Sequence, residues 1–196
     1  MTKQNREIEK IIQDILLHEL NLPEDYGTED GYIVPSVYIV APNIHLGTTD
    51  KLQIGIQSIG SRIISSVSEQ KEKDGIFLEE KQMVVSDNIQ IDIKSKNSDA
   101  RIRRFEVLAA LESIYAKQMQ EKWHCRIFQI PRGFINISFA EGSAQIYRFS
   151  ATIATQYTRR YTTEIDYYDT FPIESSVDSL DNKKRFVVDK DFKPFQ

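Results

Sequence analysis

Asp92-Ile93-Lys94 is the one spacing in this 196-residue chain that sets an acid and a base side by side in a form that chemistry uses. On a strand, positions two apart share a face, so the Asp92 carboxylate and the Lys94 ammonium point the same way. A carboxylate on magnesium, a second acid sharing the ion and a lysine beside the scissile group are the parts of metal-assisted phosphodiester hydrolysis. Asp74 is the upstream acid that would complete the set. All three residues also have plainer explanations. Asp and Lys are what the solvent row of a half-buried strand contains, and Asp74-Gly75 is a turn signal. Elsewhere the chemistry is thin. His18, His45 and His124 are scattered, and the adjacent His124-Cys125 lacks the spaced partners of a zinc site. No serine sits in a nucleophile elbow, and no dinucleotide fingerprint is present. The residues therefore assign no catalytic, metal-ligating or cofactor-binding role.

The elements around this pair are well signalled. Ile89, Ile91 and Ile93 alternate with Gln90, Asp92 and Lys94, which predicts a half-buried strand. After Ser95-Lys96-Asn97 the pattern predicts one long helix opening at Ser98, with Ser98 capping it and Asp99 favouring its positive end. Phe105, Leu108, Leu111, Tyr115 and Met119 form its expected apolar face, with Ala100, Ala109, Ala110 and Ala116 allowing close approach. At roughly 22 residues it would run about 33 Å, enough to cross a sheet. Upstream, Ile8, Ile11, Ile12, Ile15 and Leu16 predict an amphipathic helix over 5–20, entered through Asn5 and stopped by Asn21-Leu22-Pro23.

Residues 23–31 read as an exposed acidic loop, and Pro35 makes Tyr32 to Val40 an edge. Asp50 to Val67, with a bend or bulge at Gly55 or Gly60, leads through a charged tip over 69–75 into a second arm, a long hairpin. Ser86-Asp87-Asn88 reads as the next turn. Arg126 to Ile130, Phe134 to Phe139, Gln145 to Tyr157 and Thr162 to Tyr168 read as strands, with Tyr147, Phe149, Ala151 and Ile153 on one face. Without βαβ alternation, this order predicts an α+β fold: a mainly antiparallel sheet packed against a long helix, with an N-terminal helix and an extended C-terminal arm.

With 40% apolar residues the chain can build one core, expected over 1–171, and residues 172–196 form an extension too polar for a core of its own. Phe186, Val188, Phe192 and Phe195 stand isolated in that extension, which suits an arm packing on another surface such as a neighbouring subunit. Arg101, Arg103 and Arg104 fall in the first turns of the long helix, where positive charge is disfavoured, so an acidic partner, such as another subunit, is expected for them. Arg159 and Arg160, between Tyr- and Thr-rich stretches, and Lys71 and Lys73 at the hairpin tip are further interface candidates. The formal charge of -4 gives no overall attraction to nucleic acid. A single cysteine, Cys125, and no apolar run near Met1 point to synthesis in a reducing cytoplasm. No stretch reaches the ~18 apolar residues of a membrane span.

Two resemblances follow from these motifs. Asp92-Ile93-Lys94 is similar to half of the motif of restriction-enzyme-like nucleases, which implies magnesium held by Asp74 and Asp92 with Lys94 assisting. The wider pattern resembles the tail terminator and neck proteins of tailed bacteriophages. It is carried by the strand Ile89-Gln-Ile-Asp-Ile93, the helix start Asp99-Ala100 and the later strand Tyr147-Arg148-Phe149, and it covers about Glu7 to Asp169. That resemblance implies a structural virion protein without enzymatic activity or cofactor, assembled in the host cytoplasm. Its copies would form a ring, of six or of twelve, at the head-proximal end of the tail or in the neck, or serve as another tail or baseplate component. The ring would meet the head connector or portal adaptor and the tail tube, and DNA would pass through its lumen without specific binding.

Overall fold

The computed structural model describes residues 7–41, 50–73, 76–141 and 144–164, with the side chains at 72–73, 140–141 and 144–145 excepted. Asn5, Asp74, Phe186, Val188, Phe192, Phe195 and the boundary at 171 lie outside the described residues, as does the side chain of Lys73. Residues up to Ser68 and from Lys81 to Tyr161 belong to one compact unit, and Glu69–Glu80 belongs to a second.

Helix α1 (Ile8–Glu19) buries Ile8, Ile11, Ile12, Ile15 and Leu16 almost completely, as the spacing predicts. Each such side chain contributes about 1.5–3 kcal/mol of hydrophobic stabilisation, so this stripe anchors the main core. Asn21 turns left-handed, with φ 50, directly after the helix. The acidic segment expected to be a loop is instead a hairpin, β1 (Asp25–Glu29) with β2 (Tyr32–Pro35). Its turn is Asp30-Gly31, φ 51 and 83, the two positive angles that a two-residue hairpin needs and that this dipeptide supplies. The hairpin is fastened by the Tyr26 hydroxyl, which donates to the Leu52 carbonyl at 2.6 Å, and by the buried Ser36 hydroxyl, which donates to the Pro23 carbonyl.

The main sheet runs β3 (Val37–Ile39), β4 (Gln53–Lys73), β5 (Ile76–Ser95), β9 (Ala144–Glu164), β6 (Cys125–Phe128), with short β7 (Ile135–Asn136) and β8 (Phe139–Glu141) also paired to β9. β6, β7 and β8 pair antiparallel to β9, and β3, the expected edge, pairs parallel to β4. β4 is one continuous strand through Gly55 and Gly60. Two expected interruptions are absent. β5 passes through Ser86-Asp87-Asn88, whose polar types mimic a turn, because Asp87 is buried and has partners across the sheet. β9 continues from Tyr157 to Glu164, where the sequence suggested a new strand. Conversely, Phe134 to Phe139 splits into β7 and β8, and the strand predicted to Ile130 ends at Phe128, before Gln129 with φ 53.

The long helix does not form as one piece. The chain makes α2 (Asp99–Leu111) and α3 (Ile114–Trp123), broken where Ser113 goes extended and its hydroxyl accepts the Ala116 amide at 2.9 Å. Serine is a poor interior residue and a strong N-cap, and the unbroken apolar spacing from Leu111 to Tyr115 hides that stop. Nor does Ser98 cap α2 with its side chain. Ser95 Oγ accepts from the Ala100 amide and Asn97 Oδ1 from the Asp99 amide, each at 2.9 Å. The buried face of α2 is Ala100, Val107, Leu108, Ala110 and Leu111, and Phe105, expected inside, is 53% exposed. The core closes these helices over Leu52, Ile54, Ile56, Ile89, Ile91, Ile93, Phe149 and Ile153.

Candidate functional site

Alternation along β5 sets Ile89, Ile91 and Ile93 in the core and turns Gln90, Asp92 and Lys94 to the other face. There Arg148 of β9 donates to Asp92 Oδ2 at 2.8 Å. Gln90 Nε2 donates to Asp92 Oδ1 at 3.0 Å. The Arg148 backbone is fixed in turn, its amide donating to Ser138 Oγ at 3.0 Å and its carbonyl accepting from the Ile137 amide at 2.9 Å. Burial pushes the Asp92 carboxyl up, but bonds from Ser150, Arg148 and Gln90 outweigh it and hold the group below its ordinary value. Lys94 is half-buried, and its ammonium is pulled down to about 8 by burial first and then by the cations Arg148 and Lys96. Tyr38, buried on β3 against Gly55, has its hydroxyl pushed up to about 12 by burial and by Asp92.

The carboxylate required by the nuclease reading is thus committed to an arginine that sequence reasoning left out of the site. Among the described residues no group of three His, Cys, Asp or Glu side chains could hold a metal ion. Asp74 lies outside them. The Arg148 partnership is carried by pairing across strands, and no local spacing announces it.

A second polar pair sits inside the core's end. Asp87 is 3% exposed; Tyr157 donates to its Oδ2 at 2.8 Å, while its Oδ1 has no partner. Thr155 Oγ1 donates to the Asp87 carbonyl at 3.2 Å.

The third feature is an edge. β3 pairs with β4 only over Ile54–Ile56, so the outer side of β4 from Gln57 onward has no strand beside it among the described residues. From Ile59 to Lys71 every β4 residue is exposed, whichever face it points to. Ile59, Ile63, Ile64 and Val67 are 50–60% exposed, and Arg62 is the only charge between Ile56 and Glu69. On the opposite side of the sheet, β6 covers β9 only over Ala154–Tyr157.

The arginines divide. Arg103 finds an acid within its own helix, Glu106 at 2.8 Å, and donates to the Leu20 carbonyl at the end of α1 at 3.0 Å. Arg104 lies over the rings of Phe105 and Phe149, 4.7 and 4.9 Å from their centroids. Arg101 is exposed, near the exposed Ile102 and Phe105 in sequence. Arg159 lies over the Tyr157 ring and Arg160 is exposed. Lys71 bridges Glu80 and Glu69, and the bond to Glu80 is the main reason its ammonium is held above the ordinary value. His18 stacks on Tyr115 at 3.8 Å, and burial pushes the Cys125 thiol up to about 11, away from the reactive thiolate. No helix of the described residues is long and apolar enough to cross a membrane. No protein-family model matches this chain, and no curated protein is detectably similar to it.

Proposed function

We propose that the chain is a structural assembly protein of a tailed-phage particle, of the tail terminator or neck type, whose copies join into a ring. The observation that carries this reading is the open β4 edge. Natural edge strands are normally short or guarded by prolines, lysines or bulges, because bare N–H and C=O groups invite another strand. Gln57 to Ser68 has neither proline nor lysine, and it presents Ile59, Ile63 and Val67 on one face and Ile64 on the other. A heterologous contact, one copy's β4 against the uncovered part of the next copy's β9, continues the sheet from subunit to subunit, and such contacts close into rings when the rotation allows. The twelve residues of Gln57–Ser68 are about half of one side of a standard stable interface, and β9 offers residues 158–164 beyond its pairing with β6, so a copy using both edges at once gains what a single contact lacks. The sequence resemblance supplies the setting: a ring of six, or of twelve, between the head connector or portal adaptor and the tail tube, with DNA passing through its lumen. A binding role, without catalysis, also suits Asp92, whose charge is already paired.

Light scattering after gel filtration tests the assembly. The expected result is a discrete multi-subunit mass that falls to the monomer in the double variant Ile63→Lys, Val67→Lys, with unchanged circular dichroism. A monomer at every concentration, or a variant that assembles as well as the parent, refutes strand addition at this edge.

A further inference from the structure

We propose that the outer face of α2 is a docking surface for a second copy of this chain, the two helices packing antiparallel about a two-fold axis. At about 100° per residue, Arg101, Ile102, Phe105, Ala109 and the C-cap Glu112 fall within about 100° of the helix circumference, and all five are exposed. Ala100, Val107, Ala110 and Leu111 take the opposite side and join the core. Ile102 is 65% and Phe105 53% exposed, so the helix carries large apolar side chains outward as well as inward.

This face is complementary to itself. In an antiparallel pair centred on residue 107, Phe105 of each copy stands opposite Ala109 of the other, a bulky side chain against a small one, as helix packing favours. The same register sets Arg101 of each copy beside Glu112 of the other. Neither of these two residues has an ion pair among the described residues, and Glu106, at the flank of the face, is already neutralised by Arg103. Both charges also stand at the wrong end of their own helix, Arg101 in the first turn and Glu112 at the C-cap, and an antiparallel copy brings each the opposite charge it lacks. The acidic partner that the sequence demands for Arg101 is thus the same helix in another subunit. A two-fold contact joins two copies and stops, so it leaves the β4 edge free. With few residues a side it falls well below a standard interface and is weak between free copies. Its use in the particle rests on the ring reading: two rings of six stacked through α2 repeat the contact around the ring and give twelve.

Sedimentation equilibrium of the full chain carrying Ile63→Lys and Val67→Lys reads this contact with the β4 edge disabled. The expected result is a monomer when dilute and a reversible monomer–dimer equilibrium as the concentration approaches ~1 mM. The two-fold axis makes each charge pair twice. Glu112→Arg alone, or Arg101→Glu alone, therefore turns two attractions into two repulsions and raises the dimer Kd about tenfold. Arg101→Glu and Glu112→Arg together restore Kd to within about twofold of the parent value, because the swapped charges pair again. No dimer up to ~1 mM, a Kd that neither single reversal moves, or a double reversal no better than the worse single one overturns the proposal. The two readings fail separately, since the lysine pair tests β4 and the charge reversals touch only α2.

Discussion

Replacing Tyr157 by Phe isolates the energetics of the carboxylate buried at the end of the core. Asp87 is 3% exposed, its Oδ1 has no partner, and Tyr157 supplies the one side-chain hydrogen bond to its Oδ2, at 2.8 Å. Burial first, then the bond and charge of Asp87, raise the Tyr157 hydroxyl well above its ordinary value, so it remains a protonated donor throughout the working pH range. Deleting the hydroxyl removes a bond to a charged group, worth about 1.5–3 kcal/mol, and leaves both carboxylate oxygens bare. The packing is otherwise conserved, because the ring stays. The expected loss is therefore ~2–3 kcal/mol, or about 5–10 °C in Tm for a chain of this size. Urea unfolding of the parent, Tyr157→Phe, Asp87→Ala and the double variant closes a cycle. The hydroxyl should matter only while the carboxylate is present, with a coupling of at least ~1.5 kcal/mol. A loss below ~0.5 kcal/mol, or the same loss in the Asp87→Ala background, refutes the claim that this pair governs the end of the core.

Two further outcomes follow from the same structure. Ser113→Ala removes the acceptor of the Ala116 amide at the start of α3, and should cost about 1 kcal/mol in thermal or urea unfolding. Arg148→Met removes the main charge partner of Asp92, whose carboxyl titrates below its ordinary value in the fold. A depressed acid contributes stability above its unfolded pKa, near 3.9, and loses it as pH falls through the lower folded value. The parent's advantage over Arg148→Met should accordingly be present at pH 7 and shrink below about pH 4 in a pH series of unfolding curves; an advantage that grows on acidification contradicts the assigned pairing.

Period and spacing made the covered part of the sheet readable, since α1, the row Ile89, Ile91, Ile93 and the row Phe149, Ala151, Ile153 all turn the faces that the sequence predicts. The misreadings share one physical cause: a residue type with two uses. Ser86-Asp87-Asn88 has turn chemistry, but Tyr157 and Thr155 satisfy it across the sheet, and those partners lie about seventy positions away. Ser113 reads as one more polar position on a helix surface until its hydroxyl is seen to start a new helix. Asp30-Gly31 was hidden by the acidic composition around it, although the dipeptide itself is a hairpin signal. At the candidate site, Asp92 and Lys94 were legible as a pair on one face. Their difference in state was not, because it depends first on burial and then on groups from β9, with Arg148 bonding one of them and repelling the other.

The break in the long helix bears on function as well as on fold. A strand of 21 residues such as β4 or β9 spans about 70 Å, whereas helices of 12, 13 and 10 residues span only ~18, 20 and 15 Å. Even a single helix of about 33 Å would cover less than half of such a strand. The buried residues of β4 accordingly stop at Ile56, while the strand goes on through Ile59, Ile63, Ile64 and Val67 into solvent. Among the described residues nothing covers these side chains on either face. Their persistence beyond the helices is what an interface requires and what a monomeric enzyme would be expected to avoid. Among the described residues the strands thus outrun the helices, and the proposed assembly would use the length that remains.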